Sequence, residues 1–528
     1  MVKLLLPFHI FYDIIDTVDW ICFDNLKRLW LRRVIFVLQG CHFFNKASLV
    51  SRQRDKRPSL GREVFCLGNK ILPFAGGIHP PHSKHSTEGK KVEVCKAPDI
   101  VRIPLKQHVG APCDPLVKPG DRVKWGQKIG QPQGYVSAAV HSSVSGTVQS
   151  IEEAEQPDGS RVETVVIQND GKDIPDHSIR PGTLESLSAE ELRNIVVEAG
   201  IVGMGGAAFP THVKLSPPPE RKIDTVILNG SESEPFLTCD NRLMLEHPED
   251  ILYGCKVIMK ILGVSSAFIA IEDIMPDAIR ILSSKAEGEK GIQVIGLGAK
   301  YPQGAEKQLI YAITGRQVPS GGLPMDVGTV VHNVGTAAAI AHAVRTGEPL
   351  TQRIVTVSGG AVREPKNLLV RIGTSFRDVI DCCGGWKEKP VKVLSGGPLM
   401  GVAQHTLDVP VTKGTSGILL FTEKEAAMPE VSNCIRCGRC ASVCPIRLMP
   451  LLISANSLKG NYEEAEKLHA LDCIECGSCS FICPATRPLL QSILVAKKEI
   501  LAGRKKRDAS VSDDLSEGRT DRNKSNRA

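Results

Sequence analysis

The sequence predicts a multidomain chain that joins α/β and α+β modules, and three observations lead there. Its 528 residues are too many for one hydrophobic core, because cores stop growing well below that length and chains divide instead. From Phe65 to Val148, short alternating runs are separated by Pro-Gly and Ser-Gly turns; from Thr225 to Leu297, strand-like and helical runs take turns. Near the C-terminus, two cysteine-rich runs flank a helical stretch. The boundaries implied are an extension of unassigned status over 1–64, a β-sandwich over 65–180, a parallel α/β domain over 185–345, a small α+β domain over 350–422, a mostly helical cysteine-rich domain over 428–500 and a disordered basic tail over 501–528.

Residues 1–62 carry 11 Lys/Arg against 5 Asp, with a basic cluster at Lys27, Arg28, Arg32 and Arg33. Asp13, Asp16, Asp19 and Asp24 interrupt the apolar residues, which speaks against a spanning helix and a signal peptide. An upstream extension without a fold of its own is favoured over a basic helix at an anionic lipid surface. The tail holds 8 Lys/Arg against 5 Asp/Glu, so the body of the chain is close to neutral despite a formal charge of +7. No aromatic residue interleaves Arg504–Arg507, and a nucleic-acid partner is not expected. No run of 18 apolar residues occurs, so no spanning helix is expected either.

The runs around Val101–Leu105, Val117–Gln127 and Val140–Val148 read as short strands and resemble the biotinyl/lipoyl hairpin sandwich. Such carriers attach their cofactor to a lysine at a hairpin tip. The stretch Gln131–Ala139 has none, so no attached cofactor is expected. Ser188 and Glu191 form a capping box before Leu192, Ile195, Val196 and Ala199, one face of a helix. Strands at Thr225–Leu228, Ala267–Ile271 and Val294–Leu297 alternate with helices over roughly Arg242–Leu262 and Pro276–Ala286. That alternation implies a parallel sheet covered on both faces. Short strands near Ile354, Val391 and Gly417–Phe421, with a helix starting at Ser375, make the α+β module; Leu452–Leu471 is helical in composition.

Eight of the 17 cysteines fall in two copies of one pattern: Cys434, Cys437, Cys440 and Cys444-Pro445, then Cys473, Cys476, Cys479 and Cys483-Pro484. In such a run the first three thiolates hold one [4Fe–4S] cube and the fourth reaches the other. One cluster is thus assigned to Cys434, Cys437, Cys440 and Cys483, and a second to Cys444, Cys473, Cys476 and Cys479. Structural zinc favours paired Cys-x-x-Cys units, often with His, and a third cysteine plus Cys-Pro twice over argues against it. The other nine cysteines show no even framework, which suits a reducing compartment.

Gly203, Gly205 and Gly206 lie between a helix and Phe209-Pro210. Glycines let backbone N–H groups approach a phosphate, with Lys214 adding charge, but a tight turn also needs glycine. The pattern is not the dinucleotide fingerprint and follows a helix rather than a strand. On these residues alone, a nucleotide site and a plain turn both stay open.

The segment Gly203-x-Gly-Gly-Ala-x-Phe-Pro-Thr-x-x-Lys214 resembles the FMN loop in the NADH-oxidising subunit of respiratory complex I. Asn229-Gly-Ser-Glu232-Ser-Glu234-Pro235 is similar to that family's Asn-Ala-Asp-Glu-x-Glu-Pro, Gly304-Ala-Glu306-Lys307 to its Gly-Glu-Glu-Thr, and Asn333-Val-Gly-Thr336 to its Asn-Val-Glu-Thr. The order of segments, with Gly76–Pro81, Lys300–Leu309 and Ser395–Gly401, is closer still to the RnfC family of the Rnf electron-transport complex over about residues 65–500. This resemblance implies a lipoyl-like sandwich, a flavin/NADH domain, an SLBB-like α+β domain and a two-cluster ferredoxin domain. It implies that Gly203, Gly205, Gly206, Lys214, Asn229, Glu232, Asn333 and Thr336 hold FMN, and that Phe209, Glu234 and Glu306 shape the nicotinamide side. Met204, Ala208 and Ser231 depart from the Arg, Gly and Asp usual in complex I.

The activity implied is electron exchange between NAD(H), FMN and two [4Fe–4S] clusters in an ion-translocating ferredoxin:NAD oxidoreductase. Hydride transfer needs no acid or base, so no catalytic residue is assigned. The implied partners are other Rnf subunits, including integral membrane subunits and a ferredoxin-like iron–sulfur subunit. The implied place is peripheral, on the cytoplasmic side of the cell membrane. Alternative readings are a cobalamin reductase, a flavoprotein subunit of a soluble hydrogenase or formate dehydrogenase, or a cluster-only relay that has lost flavin.

Overall fold

A computed structural model of the chain describes residues 71–505 and 507. The readings of residues 1–64 and of the tail beyond Arg507 lie outside the described residues.

Two small sheets share the first core. Ile100–Pro104, Arg161–Asn169, Gly146–Glu155 and Arg122–Val123 form one; Cys113–Pro115, Lys128–Pro132 and Val140–His141 form the other. Alternate residues such as Val101, Ile103, Val165 and Ile167 point inward against Ile129 and Val140, the period-2 pattern of strands with one buried face. The expected strand Val140–Val148 is two, separated by a turn, and the second runs on to Glu155. Val92–Val94, expected in this sandwich, instead pairs in parallel with Lys366–Arg371 and so belongs to the α+β sheet.

The flavin-like domain has four parallel strands in the order Ile292–Leu297, Ala267–Glu272, Thr225–Asn229, Thr329–Asn333. Val226, Leu228, Ile269 and Ile271 face the helices Ala189–Glu198, Pro248–Leu262 and Val334–Thr346. Ile227, Phe268, Ala270 and Val331 face the helix Glu306–Thr314 on the other side. Both faces are therefore covered, as a parallel sheet requires. The expected helix Arg242–Leu262 is broken into Cys239–Glu246 and Pro248–Leu262. Proline has no N–H and its ring clashes with the carbonyl four residues back, so Pro248 starts a helix rather than continuing one.

Six strands, in the order Val92–Val94, Lys366–Arg371, Gln352–Ser358, Gly417–Phe421, Lys392–Ser395, Val402–Gln404, form the mixed sheet of the α+β domain. Cys95 and Cys382 form a disulfide across 287 residues of sequence. This departs from the reading of the other nine cysteines as showing no even framework, which suited a reducing compartment. The pair is brought together by the strand Val92–Val94 crossing to this sheet, which spacing along the chain does not reveal.

In the cysteine-rich domain the stretch Leu452–Leu471 is not one helix but three short pieces, Pro450–Ser457, Tyr462–Lys467 and Ala470–Asp472. A helix then runs through 489–505, taking in the first residues of the expected tail. Its buried Ile493, Ala496 and Ile500 lie on one face against Ile453 and Ala465, and Arg504 donates to Glu466, which keeps the end docked. Among the described residues, no helix is long and apolar enough to cross a membrane.

Candidate functional site

The loop from Gly200 to Pro210 leaves the C-terminus of the helix Ala189–Glu198 and folds back on itself, with the Gly203 N–H donating to Phe209 O at 2.8 Å. Its floor is the C-terminal end of the parallel sheet. The Met204 N–H donates to Thr336 Oγ1 at 2.9 Å, and the Asn333 amide donates to Asp240 Oδ2 at 2.6 Å. Asn333 also caps the helix Val334–Thr346, accepting from the Gly335 N–H. Asn229, at the end of the next strand, donates to Gly304 O at 2.8 Å. Thr336, Asn333 and Asn229, three positions given by the resemblance, thus meet the glycine loop at one sheet end, the usual place for a ligand in an open α/β sheet.

The three glycines differ in what surrounds them. A Cβ on Gly203 would stand an ordinary 3.6 Å from Phe209 O. One on Gly205 would stand 2.8 Å from Asn333 Nδ2, whereas one on Gly206 would meet open space. Gly205 is not in the left-handed region; Ala208 is, with φ +53°. So the residue that replaces a usual glycine carries the backbone strain, and Gly205 is required by its closeness to Asn333.

Other residues are placed differently from their expected roles. Lys214 and Glu306 form an ion pair at 2.7 Å, and Lys214 also donates to Val331 O. They stand together rather than at opposite ends of a ligand. The Glu232 carboxylate accepts the backbone N–H groups of Asp240 and Asn241 at 2.8 and 3.1 Å. It serves the N-terminus of the helix Cys239–Glu246, where a carboxylate satisfies orphan helix donors well. Burial first, and the Glu232 charge second, hold the Asp240 carboxyl above the usual carboxylate range. Glu234 turns toward the α+β domain: Tyr301 donates to its Oε1 at 3.2 Å and the Leu399 N–H to its Oε2 at 3.0 Å. Burial raises its carboxyl pKa as well.

Lys84 was invisible to motif reading. Its ammonium is 5% exposed and donates to the carbonyls of Glu232, Glu234 and Leu237 at 2.8, 3.1 and 2.5 Å. It holds a loop in which Glu232 and Phe236 take positive φ. The available signal was a lysine three residues after the Gly76–Pro81 run, in a segment with no obvious surface role.

These loops contain buried polar atoms without a partner among the described residues: Thr211 Oγ1, Ser231 Oγ and His332 Nε2. With the Lys214 ammonium and the open backbone at Gly206, this set of donors and acceptors fits a phosphorylated flavin.

The cysteine runs fold as two copies of one loop. Arg436 and Glu475 take positive φ at matching positions, as do Gly438 and Gly477, and Arg447 and Thr486. The Arg436 N–H points at Cys434 Sγ and the Glu475 N–H at Cys473 Sγ, both at 3.4 Å. Cys434, Cys437, Cys440 and Cys483 line one cavity of about 500 Å³. Cys444 lies within electrostatic reach of Cys473, Cys476 and Cys479. The fourth cysteine of each run therefore sits with the opposite three. Among the described residues, no three or more His, Cys, Asp or Glu close into a site for a single ion.

Four family models match the chain: the RnfC barrel sandwich hybrid domain over residues 72–172, the Nuo51 FMN-binding domain over 196–342, the SLBB domain over 354–403 and the 4Fe-4S dicluster domain over 428–500. Over 434 residues the chain is 52% identical to the RnfC subunit of the Na(+)-translocating ferredoxin:NAD(+) oxidoreductase complex of Acetobacterium woodii, covering 82% of this chain and 98% of that protein. The chain belongs to the RnfC family. It is also 52% identical to the RnfC subunit of the proton-translocating ferredoxin:NAD(+) oxidoreductase complex of Clostridium ljungdahlii, covering 81% of this chain and 94% of that protein. The RnfC subunit of the ion-translocating oxidoreductase complex of Rhodobacter capsulatus is 44% identical, over 80% of this chain and 82% of its own.

Proposed function

We propose that this chain is the subunit at which NAD(H), FMN and two [4Fe–4S] clusters exchange electrons in an ion-translocating ferredoxin:NAD oxidoreductase. The observation that carries the reading is the joining of the flavin-type loop and both cysteine sets within one compact unit. When bound, FMN converts between the electron pair of a hydride and the single electrons that iron–sulfur clusters carry.

The rest is the work of this chain's residues. The Gly205–Gly206 backbone and Lys214 bind the phosphate end; Glu306 orients the Lys214 ammonium. Asn229, Asn333 and Thr336 hold the loop against the sheet. Phe209, half-buried, shields the outer face and keeps water from it. Cys434, Cys437, Cys440 and Cys483 ligate one cube, and Cys444, Cys473, Cys476 and Cys479 the other. Integral membrane subunits and a ferredoxin-like iron–sulfur subunit are the partners, and the chain lies peripherally on the cytoplasmic face, held by those subunits.

Anaerobically purified protein, assayed for iron, sulfide and flavin and then mixed with NADH, tests the reading. About eight irons and acid-labile sulfide are expected, with flavin bleached by NADH. One stoichiometric zinc without sulfide would overturn the cluster assignment. Clusters without releasable flavin would make the chain a relay instead.

A further inference from the structure

We propose that the turn Thr412–Thr415 of the α+β domain, together with Arg353 of the same domain, positions the flavin-type loop and selects a phosphorylated flavin over an uncharged one. The proposal rests on the flavin reading above and adds which residues outside the flavin domain set the course and the charge of the loop.

The turn lies just before the strand Gly417–Phe421 and runs behind the loop. Thr415 closes it: its N–H donates to Thr412 O at 3.1 Å, and its hydroxyl accepts from the Thr412 N–H at 3.0 Å. Lys413 meets the start of the loop, where its ammonium donates to Gly200 O at 2.6 Å. Gly200 has φ +61°, and a Cβ there would stand 2.7 Å from Lys413 Nζ, so the approach needs glycine. Gly414 meets the far side of the loop: a Cβ on it would stand 3.4 Å from the Ala208 Cβ and 4.0 Å from Gly206 O. Arg353 completes the contact. Its Nε donates to Thr415 O and its Nη2 to Met204 O, both at 3.1 Å. The Met204 peptide is therefore held from two domains, its N–H by Thr336 and its carbonyl by Arg353.

The charge follows from the same contacts. Lys413 is 1% exposed and Arg353 3% exposed. Among the described residues, no carboxylate forms an ion pair with either. Asp240 acts on Arg353 through space, but burial and the Glu232 charge favour the neutral form of that carboxyl. Buried cations without a paired anion are costly. The carbonyls of Gly200 and Met204 offset part of that cost, and an anion across the loop would offset more. Gly206 has open space on its own side, so a phosphate can reach the loop backbone there while the cations stand behind it. FMN brings that phosphate and riboflavin does not. Arg353 and Lys413 are thus positioning residues: they act on the ligand through the loop and through their field, without touching it.

The test uses the full-length chain, reconstituted anaerobically with iron and sulfide and freed of flavin. Hydrogen exchange at the Gly203, Met204 and Thr211 amides, all bonded within or beneath the loop, reports its order. Titration with FMN and with riboflavin reports its selectivity, and the unaltered protein should prefer FMN. Arg353→Met should speed exchange at these amides. It should also lower FMN affinity by roughly tenfold more than riboflavin affinity, because a buried charge near a phosphate is lost. Arg353→Lys keeps a cation but not the forked pair of donors, so exchange should quicken while the preference for FMN stays within about threefold of its original value. Gly414→Leu, at a half-buried position, leaves both cations in place and presses on Ala208. It should quicken exchange and weaken both flavins alike. The proposal is overturned if the unaltered protein binds riboflavin as tightly as FMN, or if Arg353→Met keeps the original preference. It is also overturned if the loop amides exchange at the original rate in both Arg353→Met and Gly414→Leu. If Arg353→Met does not fold, Arg353→Gln, which removes the charge and keeps an amide donor, gives the same readings, and Gly414→Leu decides the positioning by itself. Failure of the unaltered protein to bind either flavin would instead sink the flavin reading, and the exchange rates would still decide the positioning.

Discussion

Single residues in the glycine loop separate shape from binding. Ala208 occupies φ +53°, a region in which a Cβ crowds the backbone and glycine does not. Ala208→Gly should therefore raise stability by roughly 0.5–1 kcal/mol in denaturant unfolding, since relief of strain exceeds the entropy gained by the unfolded chain. A loss of similar size would mean that the methyl packing near Gly414 matters more. Gly206 and Gly205 should part company. A side chain on Gly206 meets open space, so Gly206→Val should keep the unfolding midpoint and lose FMN. Gly205→Val should lower both, because its side chain strikes Asn333, which is bound to Asp240. Equal flavin retention by Gly206→Val and the parent protein would exclude a close backbone approach there. The glycines themselves were legible in the sequence; which of them faces open space and which a neighbour was not, since that depends on a strand more than a hundred residues away.

Among the elements, the helices Pro248–Leu262 and Val334–Thr346 cross with their backbones almost touching. A Cβ on Gly254 would stand 1.8 Å from Ala337 O. Helix propensity alone says that Gly254→Ala should gain about 1 kcal/mol. Overpacking opposes it, and the expected outcome is a net loss of roughly 1–3 kcal/mol, read from thermal unfolding. A gain would mean that the helices can separate freely. The helices and the parallel strands were readable from apolar periodicity, because both faces of the sheet are buried and each run is long. The boundary at Pro248 was misread because the apolar pattern continues across it. The strand Thr329–Asn333 runs directly into a motif that begins at its last residue and was not read as a strand, and Val92–Val94 was too short and too exposed to declare its distant partner.

Over the whole molecule, acid should loosen the packing between modules. Burial, then the Lys413 cation, pushes His108 down from 6.5 to about 4, and burial, then Lys214, pushes His332 down to about 3. The His108 Nε2 accepts from the Ala138 N–H, a bond that protonation would remove. Both are bases with depressed folded pKa values, so between these values and 6.5 the unfolded chain binds protons that the folded chain refuses. Stability should be full above pH 6.5 and fall as the pH drops toward 4. His108→Gln, with an amide oxygen to accept from Ala138, should flatten that slope in unfolding midpoints measured from pH 7 to 4.5. An unchanged slope would place the acid sensitivity elsewhere. Lys413 matters at the same scale: fully buried, it donates to Ala139 O and Gly200 O at 2.6 Å each, joining the sandwich and the start of the glycine loop.

By itself the sequence determined the chemistry that local spacing encodes. Two cysteine runs must each wrap one corner of a cube, because three thiolates at intervals of three residues can do little else. Periodicities of two and of 3.6 set which runs are strands and which are helices. Only the tertiary structure decided the relations between distant parts. It paired Cys95 with Cys382, set the Glu232 carboxylate at a helix N-terminus, coupled Lys214 to Glu306, and brought Gly76, Tyr301 and Leu399 to one cysteine set. The physical reason is that such contacts depend on how strands cross between sheets and how modules pack. Those choices are made by burial summed over many residues, and no short stretch of sequence carries them.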